Sequence, residues 1–287
     1  MPGCTGKSAF VLPGRPLNIA PRGARSRAPE NTLAAARQAL SAGADMWELD
    51  VRFTADQVPV VLHDDTLLRT SDVSLKKEFA GRQPWPVHEF TLAELRRLDF
   101  GGWFAETDPF GQIAAGKVSA VDLKSYKGEP APTLEEALSF SKRHGLRVNI
   151  EIKDQTGLPG HDLAAAGTVR VVERLDLWDQ VIISSFNTAY LVEVNRLKPQ
   201  AATAVIVDEP PSDVMELLRS SRASGYHPNL EALRWEDVSR VRQAGGLVNV
   251  WTVNDAASMK ELLTGAVTGL ITDFPQVLAS ILKNRCK

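Results

Sequence analysis

Two hydrophobic patterns alternate along the chain. Short runs rich in valine, isoleucine and leucine recur, and apolar residues at helical spacing separate them. This alternation is typical of strand–helix–strand units built around a parallel sheet. The pattern predicts eight barrel strands at Leu17–Ala20, Met46–Val51, Arg147–Ile152, Gln180–Ser184, Ala202–Val207, Gly225–His227, Leu247–Thr252 and Gly269–Thr272.

A helix is predicted after each strand. Thr133 precedes one of them, Glu136 stands three residues on, and Gly145 ends it, which is the pattern of a capped helix. Asn254 and Asp273 stand where two further N-caps are expected. The predicted helices are Pro29–Ala42, Thr133–His144, His161–Leu175, Thr188–Leu197, Pro211–Arg222, Arg234–Ala244, Asp255–Leu263 and Pro275–Lys283. Eight strand–helix pairs predict an α/β fold, a closed (β/α)8 TIM barrel in which no strand has a free edge.

One long segment does not follow this repeat. Val58–Leu62 predicts an extra strand turned back from the second barrel strand, and residues 64–132 form an insertion before the next helix. The insertion contains a predicted helix, Leu92–Leu98, followed by a stretch rich in glycine and aromatic residues, Phe100–Gly111. Insertions after barrel strands lie at the carboxyl end, where barrel chemistry occurs. This one is therefore either a lid or substrate wall, or a decoration without a catalytic part.

Length and charge limit the classes of protein. The 287 residues, 44% of them hydrophobic, suffice for a sizeable core, and we expect a single domain spanning residues 1–287. The formal net charge of -2 argues against partners such as nucleic acid or an anionic membrane surface. It leaves open a small phosphate-bearing ligand, because a local pocket can be basic in an acidic chain. The oligomeric state is left undetermined.

The ends of the chain indicate a reducing compartment. Met1–Leu17 is interrupted by Pro13, Gly14 and Pro16, which argues against a secretory signal. No apolar run approaches the roughly 20 residues needed to span a bilayer. Cys4 and Cys286 leave a disulfide open, although two free thiols are the simpler interpretation. We expect a cytoplasmic protein.

Three carboxylates are predicted to meet at the barrel mouth. Glu48 and Asp50 are two residues apart in one strand, so their side chains share a face, which points inward if Trp47 faces the helices. Glu151 lies at the carboxyl end of the next barrel strand. Inward-facing acids must be paired, protonated or bound to a metal. The residues alone leave two alternatives: one hard divalent cation, Mg²⁺ or Ca²⁺, or an ion-pair cluster with Lys153 and Arg22.

Further candidate residues surround this cluster. His63 precedes Asp64, and a neighbouring carboxylate can orient an imidazole for acid or base catalysis, although a lone histidine after a strand is more often structural. Arg22 follows the first strand and, with Lys153, provides a basic rim suited to a phosphodiester. His227 ends a barrel strand and could face the mouth, but the sequence pairs it with no role.

In combination these residues resemble the glycerophosphodiester phosphodiesterase family, a group of TIM barrels, over about residues 17 to 280. The matching segments are Arg22-Gly23, Pro29-Glu30-Asn31-Thr32, Gly43-Ala44-Asp45, Glu48-Leu49-Asp50-Val51, Thr54, Val60-Val61, His63-Asp64, Leu67, Arg69-Thr70, Pro132-Thr133-Leu134-Glu135-Glu136, Glu151-Ile152-Lys153, Ser185-Phe186, Trp251-Thr252-Val253-Asn254 and Thr272-Asp273-Phe274-Pro275. The resemblance implies metal-dependent hydrolysis of glycerophosphodiesters to glycerol 3-phosphate and an alcohol.

The resemblance also implies a role for each matching residue. Glu48, Asp50 and Glu151 match the ligands of one divalent cation, Mg²⁺ or Ca²⁺. His63 matches one of two catalytic histidines, which act as acid and base while the glycerol hydroxyl attacks phosphorus. Arg22 and Lys153 match groups that contact the phosphate, and Phe186 and Trp251 match apolar residues beside the substrate. Without the resemblance, Phe186 and Trp251 would be assigned to the core.

Two positions depart from the family pattern. Pro21 stands where the family has its first histidine, and proline can neither take nor give a proton. Gln57 stands where the family has glycine, which predicts a strained turn or one of a different type. Three hypotheses remain: an enzyme that works without the partner histidine, a paralogue that binds phosphoesters without turnover, or a point change in an otherwise normal enzyme.

Overall fold

The computed structural model describes residue 10 and residues 14–285, so Cys4 and Cys286 lie outside the described residues. Eight parallel strands pair side by side, and pairing of the first strand with the second closes the sheet into a barrel. The prediction of a (β/α)8 barrel is therefore confirmed. The strands are β1 Leu17–Pro21, β2 Met46–Phe53, β3 Pro59–Val61, β4 Arg147–Ile152, β5 Val181–Ser185, β6 Ala202–Val207, β7 Gly225–Pro228, β8 Leu247–Val250 and β9 Gly269–Ile271.

The ninth strand, β3, lies outside the parallel barrel order. It pairs antiparallel with the end of β2, with Val51 opposite Val61 and Phe53 opposite Pro59. The extra strand predicted at Val58–Leu62 thus forms, and β2 continues to Phe53 rather than ending at Val51. At the turn between the two strands Gln57 has φ +61°, a left-handed conformation that favours glycine. The departure at Gln57 therefore does carry a strained backbone.

Eight helices follow the barrel strands on the outside. They are α1 Leu33–Ser41, α5 Leu134–His144, α6 Ala164–Leu175, α7 Thr188–Leu197, α8 Val214–Ser221, α9 Trp235–Gln243, α10 Ala256–Leu262 and α11 Pro275–Arg285. The predicted capping box of Thr133 and Glu136 begins α5, and Gly145 ends it at φ 63°. None of the helices in the described part of the chain is both long and apolar enough to cross a membrane.

Several predicted helix starts are wrong, and α6 begins at Ala164 rather than His161 and α8 at Val214 rather than Pro211. Helix α1 begins at Leu33 rather than Pro29, because Asn31 has φ 58° and cannot belong to a right-handed helix, so Thr32 becomes the N-cap. Helix α10 is capped by Asp255, which accepts hydrogen bonds from two backbone N–H groups, and not by Asn254. Asn254 instead donates to the carboxylate of Asp273 at 2.7 Å.

The insertion is more helical than predicted. It contains α2 Leu92–Leu95, α3 Gly102–Thr107 and α4 Ala120–Tyr126, besides short 3₁₀ turns. The predicted helix Leu92–Leu98 ends at Leu95, and α3 occupies part of the glycine- and aromatic-rich stretch. The side chains of Phe104 and Tyr126 pack edge to face and bury themselves against small residues of α1. The insertion thus lies against the barrel, and Phe110 contacts Phe274 with ring centroids 6.2 Å apart.

Strand alternation divides the core into an outer and an inner layer. On β2, Trp47, Leu49 and Val51 pack against the helices, so Glu48 and Asp50 face the barrel interior. The inner layer is apolar towards the amino ends of the strands, where side chains such as those of Leu17, Met46, Ile182 and Ala202 pack together. Towards the carboxyl ends many lining positions are polar, and this end carries the candidate site.

Candidate active site

The three predicted carboxylates converge at the carboxyl ends of β2 and β4. Asp50 stands opposite Glu151 in the parallel pairing, and Glu48 lies two residues earlier on the same inward face. One oxygen from each of the three lies within 4.8 Å of the others. Asp50 is 1% exposed and Glu48 6%. The structure therefore concentrates three acids in a space that largely excludes water.

Two cations compensate this charge only in part. Lys153 Nζ lies 2.6 Å from Glu151 Oε1 and 3.5 Å from Asp50 Oδ1. Arg22 donates its backbone N–H to Glu48 Oε2 at 2.8 Å, and its Nε lies 3.5 Å from Asp50 Oδ2. The ion pairs with Lys153 and Arg22, which the sequence left open as an alternative to a metal, are thus present. They leave three carboxylates facing two cations.

The pKa shifts of the three carboxyl groups show which of them is most destabilised in its charged form. Burial, followed by the charges of Asp50 and Glu151, raises the pKa of Glu48 well above its usual value. Although burial opposes it, Lys153 and Arg22 lower the pKa of Asp50 to about 2. Burial and Asp50 raise the pKa of Glu151. The charged form of Glu48 is therefore the one that burial and the two neighbouring acids destabilise most.

This donor set fits a hard divalent cation. Asp50 Oδ1 is buried and has no hydrogen-bond partner within residue 10 and residues 14–285, because Lys153 Nζ at 3.5 Å is too distant for a good bond. Carboxylate oxygens are the ligands that Mg²⁺ and Ca²⁺ prefer. A cation among Glu48, Asp50 and Glu151 would give that oxygen a partner and remove the repulsion. Ion pairing alone does neither.

His63 follows β3 and lies in the same cavity. Its Nδ1 is 2.7 Å from Asp64 Oδ1, which leaves Nε2 as the nitrogen available for proton transfer. Asp64 is held by Arg69, whose Nε donates at 2.6 Å and Nη2 at 2.9 Å. Arg69 Nη2 also donates to Glu30 at 2.6 Å, and Glu30 accepts from Arg22 Nη1 at 3.0 Å. Arg69 therefore links the histidine and the rim arginine through two carboxylates.

This geometry predicts that Arg69 positions both groups. We expect Arg69→Lys to lower kcat about 10- to 100-fold. Lysine retains the charge, but its single ammonium group cannot bind both carboxylates with the paired donors of a guanidinium, and small misplacements of catalytic groups are costly. KM should also rise, because Arg22, which the resemblance assigns to the phosphate, would be held less firmly through Glu30. Steady-state kinetics would measure the effect, with Arg97→Lys as a control because Arg97 pairs with Glu78 on an exposed surface. Equal kinetics in the two variants would exclude the positioning role.

A cavity of about 250 Å³ joins these groups. Pro21 lines it at the end of β1, and Gly23 at φ +80° lets the following loop approach α1, where a Cβ would stand 2.5 Å from that of Ala35. Phe186 and Trp251 also line the cavity and meet edge to face with centroids 5.9 Å apart. Phe186 is 40% exposed, so it is not a core residue.

Several lining residues were not assigned from the sequence, and three of them carry nitrogen-bearing side chains. Asn149 lies two residues before Glu151 on β4 and shares its inward face, a signal that alternation alone could have provided. Arg25 pairs with Asp273 and lies under the ring of Phe110, 5.5 Å from its centroid. His227 on β7 also lines the cavity, and no pattern in the sequence indicates a role for it.

The fold and the site together define an enzyme of the (β/α)8-barrel class with an acidic centre and a basic rim at its mouth. A model of the glycerophosphoryl diester phosphodiesterase family matches residues 22–277, and the chain belongs to this family. The chain is 32% identical over 284 residues to the glycerophosphodiester phosphodiesterase of Bacillus subtilis, covering 96% of this chain and 90% of that protein.

Solved structures agree with this assignment. A phosphodiesterase from Oleispira antarctica, in complex with the product sn-glycerol-3-phosphate, superimposes with a TM-score of 0.77 at 30% identity, covering 95% of this chain and 97% of that one. A glycerophosphodiester phosphodiesterase from Agrobacterium tumefaciens gives a TM-score of 0.72 at 28% identity, covering 91% and 98%. The resemblance noted in the sequence is confirmed.

Proposed function

We propose that the protein hydrolyses glycerophosphodiesters to sn-glycerol 3-phosphate and an alcohol with the help of one divalent cation, Mg²⁺ or Ca²⁺. The observation that carries the proposal is the largely buried group of Glu48, Asp50 and Glu151 in the same cavity as the cationic side chains of Arg22 and Lys153. Such a site suits a substrate that brings a negative charge of its own. The similar Oleispira structure holds sn-glycerol-3-phosphate, which supports this substrate class.

The proposed roles follow from the positions of the side chains. Glu48, Asp50 and Glu151 hold the cation, which when bound neutralises charge developing on the phosphoryl oxygens. Arg22 and Lys153 bind the phosphate oxygens, for which a guanidinium offers paired donors and an ammonium a point charge. Phe186 and Trp251 form an apolar wall beside the substrate. The acids would thus hold the cation, and the rim would hold the phosphate.

Two proton transfers accompany cleavage. A proton leaves the glycerol hydroxyl that attacks phosphorus, and a proton reaches the oxygen of the departing alcohol. Water then opens the resulting cyclic phosphate: its oxygen bonds to phosphorus, and one of its protons restores the glycerol hydroxyl, which gives sn-glycerol 3-phosphate. His63, oriented by Asp64, can serve either transfer through Nε2. Pro21 lines the cavity where the family has its other histidine, so the second transfer falls to solvent. We therefore propose a slow enzyme rather than an efficient one.

A second candidate function is binding without turnover, and Pro21 in the cavity wall favours it. In that case the protein would sequester or sense a phosphodiester or phosphomonoester. The retained acids argue for the enzyme, because three largely buried carboxylates that repel one another have no evident use in a protein that only captures anions. The two candidate functions are distinguished by whether the protein releases product.

Release of sn-glycerol 3-phosphate from glycerophosphocholine tests the proposal. We expect slow, continuous release that requires Mg²⁺ or Ca²⁺ and stops on chelation, measured by a coupled dehydrogenase assay. Isothermal calorimetry with sn-glycerol 3-phosphate runs in parallel. Tight, metal-dependent binding without release of product would instead establish the binding function.

A further inference from the structure

A third cationic side chain lines the cavity besides those of Arg22 and Lys153. Arg25 lies in the loop between β1 and α1, and its Nε donates to the carboxylate of Asp273 in the loop after β9. Asp273 is 2% exposed, and its other carboxylate oxygen accepts from Asn254 Nδ2 at 2.7 Å. A buried acid that is itself held in place therefore fixes the guanidinium of Arg25 at the cavity wall.

The end of this guanidinium has donors to spare. Within residue 10 and residues 14–285, Nε makes the only hydrogen bond of the Arg25 side chain, and Asp273 is its only ion-pair partner. By contrast, Arg22 donates to Glu30 and Lys153 donates to Glu151. A guanidinium carries five N–H donors, so those on Nη1 and Nη2 of Arg25 remain available to a ligand.

The insertion contacts the same guanidinium. Phe110, in the segment between α3 and α4, places its ring centroid 5.5 Å from Arg25 Cζ. The ring also packs edge to face on Phe274, with centroids 6.2 Å apart. A cation within about 6 Å of an aromatic ring is attracted to its face. Arg25 is thus held by two attachments, one from the last barrel loop and one from the insertion.

The free donors of Arg25 match an oxyanion. Guanidinium groups bind carboxylates and phosphates through paired, charge-assisted hydrogen bonds. In a glycerophosphodiester the glycerol part carries only neutral hydroxyls, and the phosphate has Arg22 and Lys153 beside it. The departing alcohol is the part that differs between substrates, and it can carry a second anionic group. A quaternary ammonium group in the same place would instead meet a like charge.

We propose that Arg25 is a specificity-determining residue that binds an anionic group on the departing alcohol, such as the carboxylate of a serine ester. The proposal rests on the proposed function for the identity of the substrate class. Asp273 and Phe110 position the guanidinium, so the insertion takes part in substrate selection through Phe110. Glycerophosphodiesters with an acidic alcohol are then better substrates than those with a choline group.

Two esters that differ by one carboxylate test this role. Glycerophosphoserine and glycerophosphoethanolamine share the glycerol, the phosphate and an ammonium group, and only the serine ester has the carboxylate. With the full-length protein and Mg²⁺, we expect kcat/KM to be at least about 10-fold higher for the serine ester, the usual contribution of a charge-assisted hydrogen bond. If neither ester releases product, the ratio of their calorimetric affinities replaces the ratio of kcat/KM. Equal values for the two esters, or no binding of either, would overturn the proposal.

Substitutions of Arg25 show whether its charge produces the preference. Arg25→Gln should bring the ratio to near one by weakening the serine ester and leaving the ethanolamine ester little changed. Arg25→Lys retains the charge and should keep part of the preference. The matched control is Arg37→Gln, because Arg37 also joins α1 to the insertion, through Glu129, but its side chain is 55% exposed. A high ratio in Arg25→Gln, complete loss in Arg25→Lys, or an equal fall in Arg37→Gln would contradict the proposal.

Phe110→Leu tests the part of the insertion. It keeps an apolar side chain next to Phe274 but removes the aromatic face, so the ratio should fall about 2- to 5-fold. An unchanged ratio would overturn the role assigned to the insertion. A protein that binds the serine ester preferentially through Arg25 but releases sn-glycerol 3-phosphate from neither ester would support this inference and refute only the proposed hydrolysis.

Discussion

Replacement of Pro21 by histidine is expected to raise kcat for glycerophosphocholine hydrolysis by about 10²–10⁴-fold, the usual contribution of one positioned acid or base. Pro21 lies at the end of β1, opposite Glu48 in the pairing with β2, and it lines the cavity. An imidazole at this position would therefore enter the space that His63 also borders. Strand geometry imposes no special demand, since histidine adopts extended backbone readily.

The control for this gain is Pro21→Asn, which adds a polar side chain that does not titrate. It should leave kcat near that of the unaltered chain. The double variant Pro21→His with His63→Ala should lose most of the gain, because both proton transfers need a partner. If Pro21→His gains nothing over Pro21→Asn, position 21 does not supply an acid or base, and the assignment of the first strand to the family pattern is wrong.

Local patterns were sufficient to predict the acidic centre. Alternation places Glu48 and Asp50 on one face of β2, and the parallel pairing brings Glu151 opposite Asp50. The order of strands and helices predicted the barrel, because each element carries its own hydrophobic period. These features depend on residues close together in the sequence or on neighbouring strands, where short-range rules apply.

Features that depend on distant contacts were not predicted. Whether His227 faces a cavity depends on how all eight strands come together once β1 pairs with β2, which no local pattern encodes. The start of α1 was predicted wrongly because Asn31 leaves helical geometry, and its Nδ2 donates to Asp50 Oδ2 at 2.8 Å. The helices α3 and α4 are short and owe their order to packing against α1.

Replacement of Glu48 by glutamine is expected to lower kcat at least about 10³-fold, since a catalytic cation contributes several kcal/mol to transition-state stabilisation. Glutamine retains an oxygen that can accept from the backbone N–H of Arg22 but removes one of three charges from the centre. The control is Glu106→Gln, at an exposed position outside the centre, which should leave kcat unchanged.

Thermal unfolding distinguishes a cation site from an ion-pair cluster. If a cation binds, Mg²⁺ or Ca²⁺ should raise the Tm of the unaltered chain by mass action and have little effect on Glu48→Gln. Without metal, Glu48→Gln should be at least as stable as the unaltered chain, because it relieves repulsion from Asp50 and Glu151. An ion-pair cluster gives another result: Tm would not respond to divalent cations in either protein. That outcome would exclude a metal from the proposed function. It would also mean that Arg22 and Lys153 are permanent partners of the acids and unavailable to a phosphate.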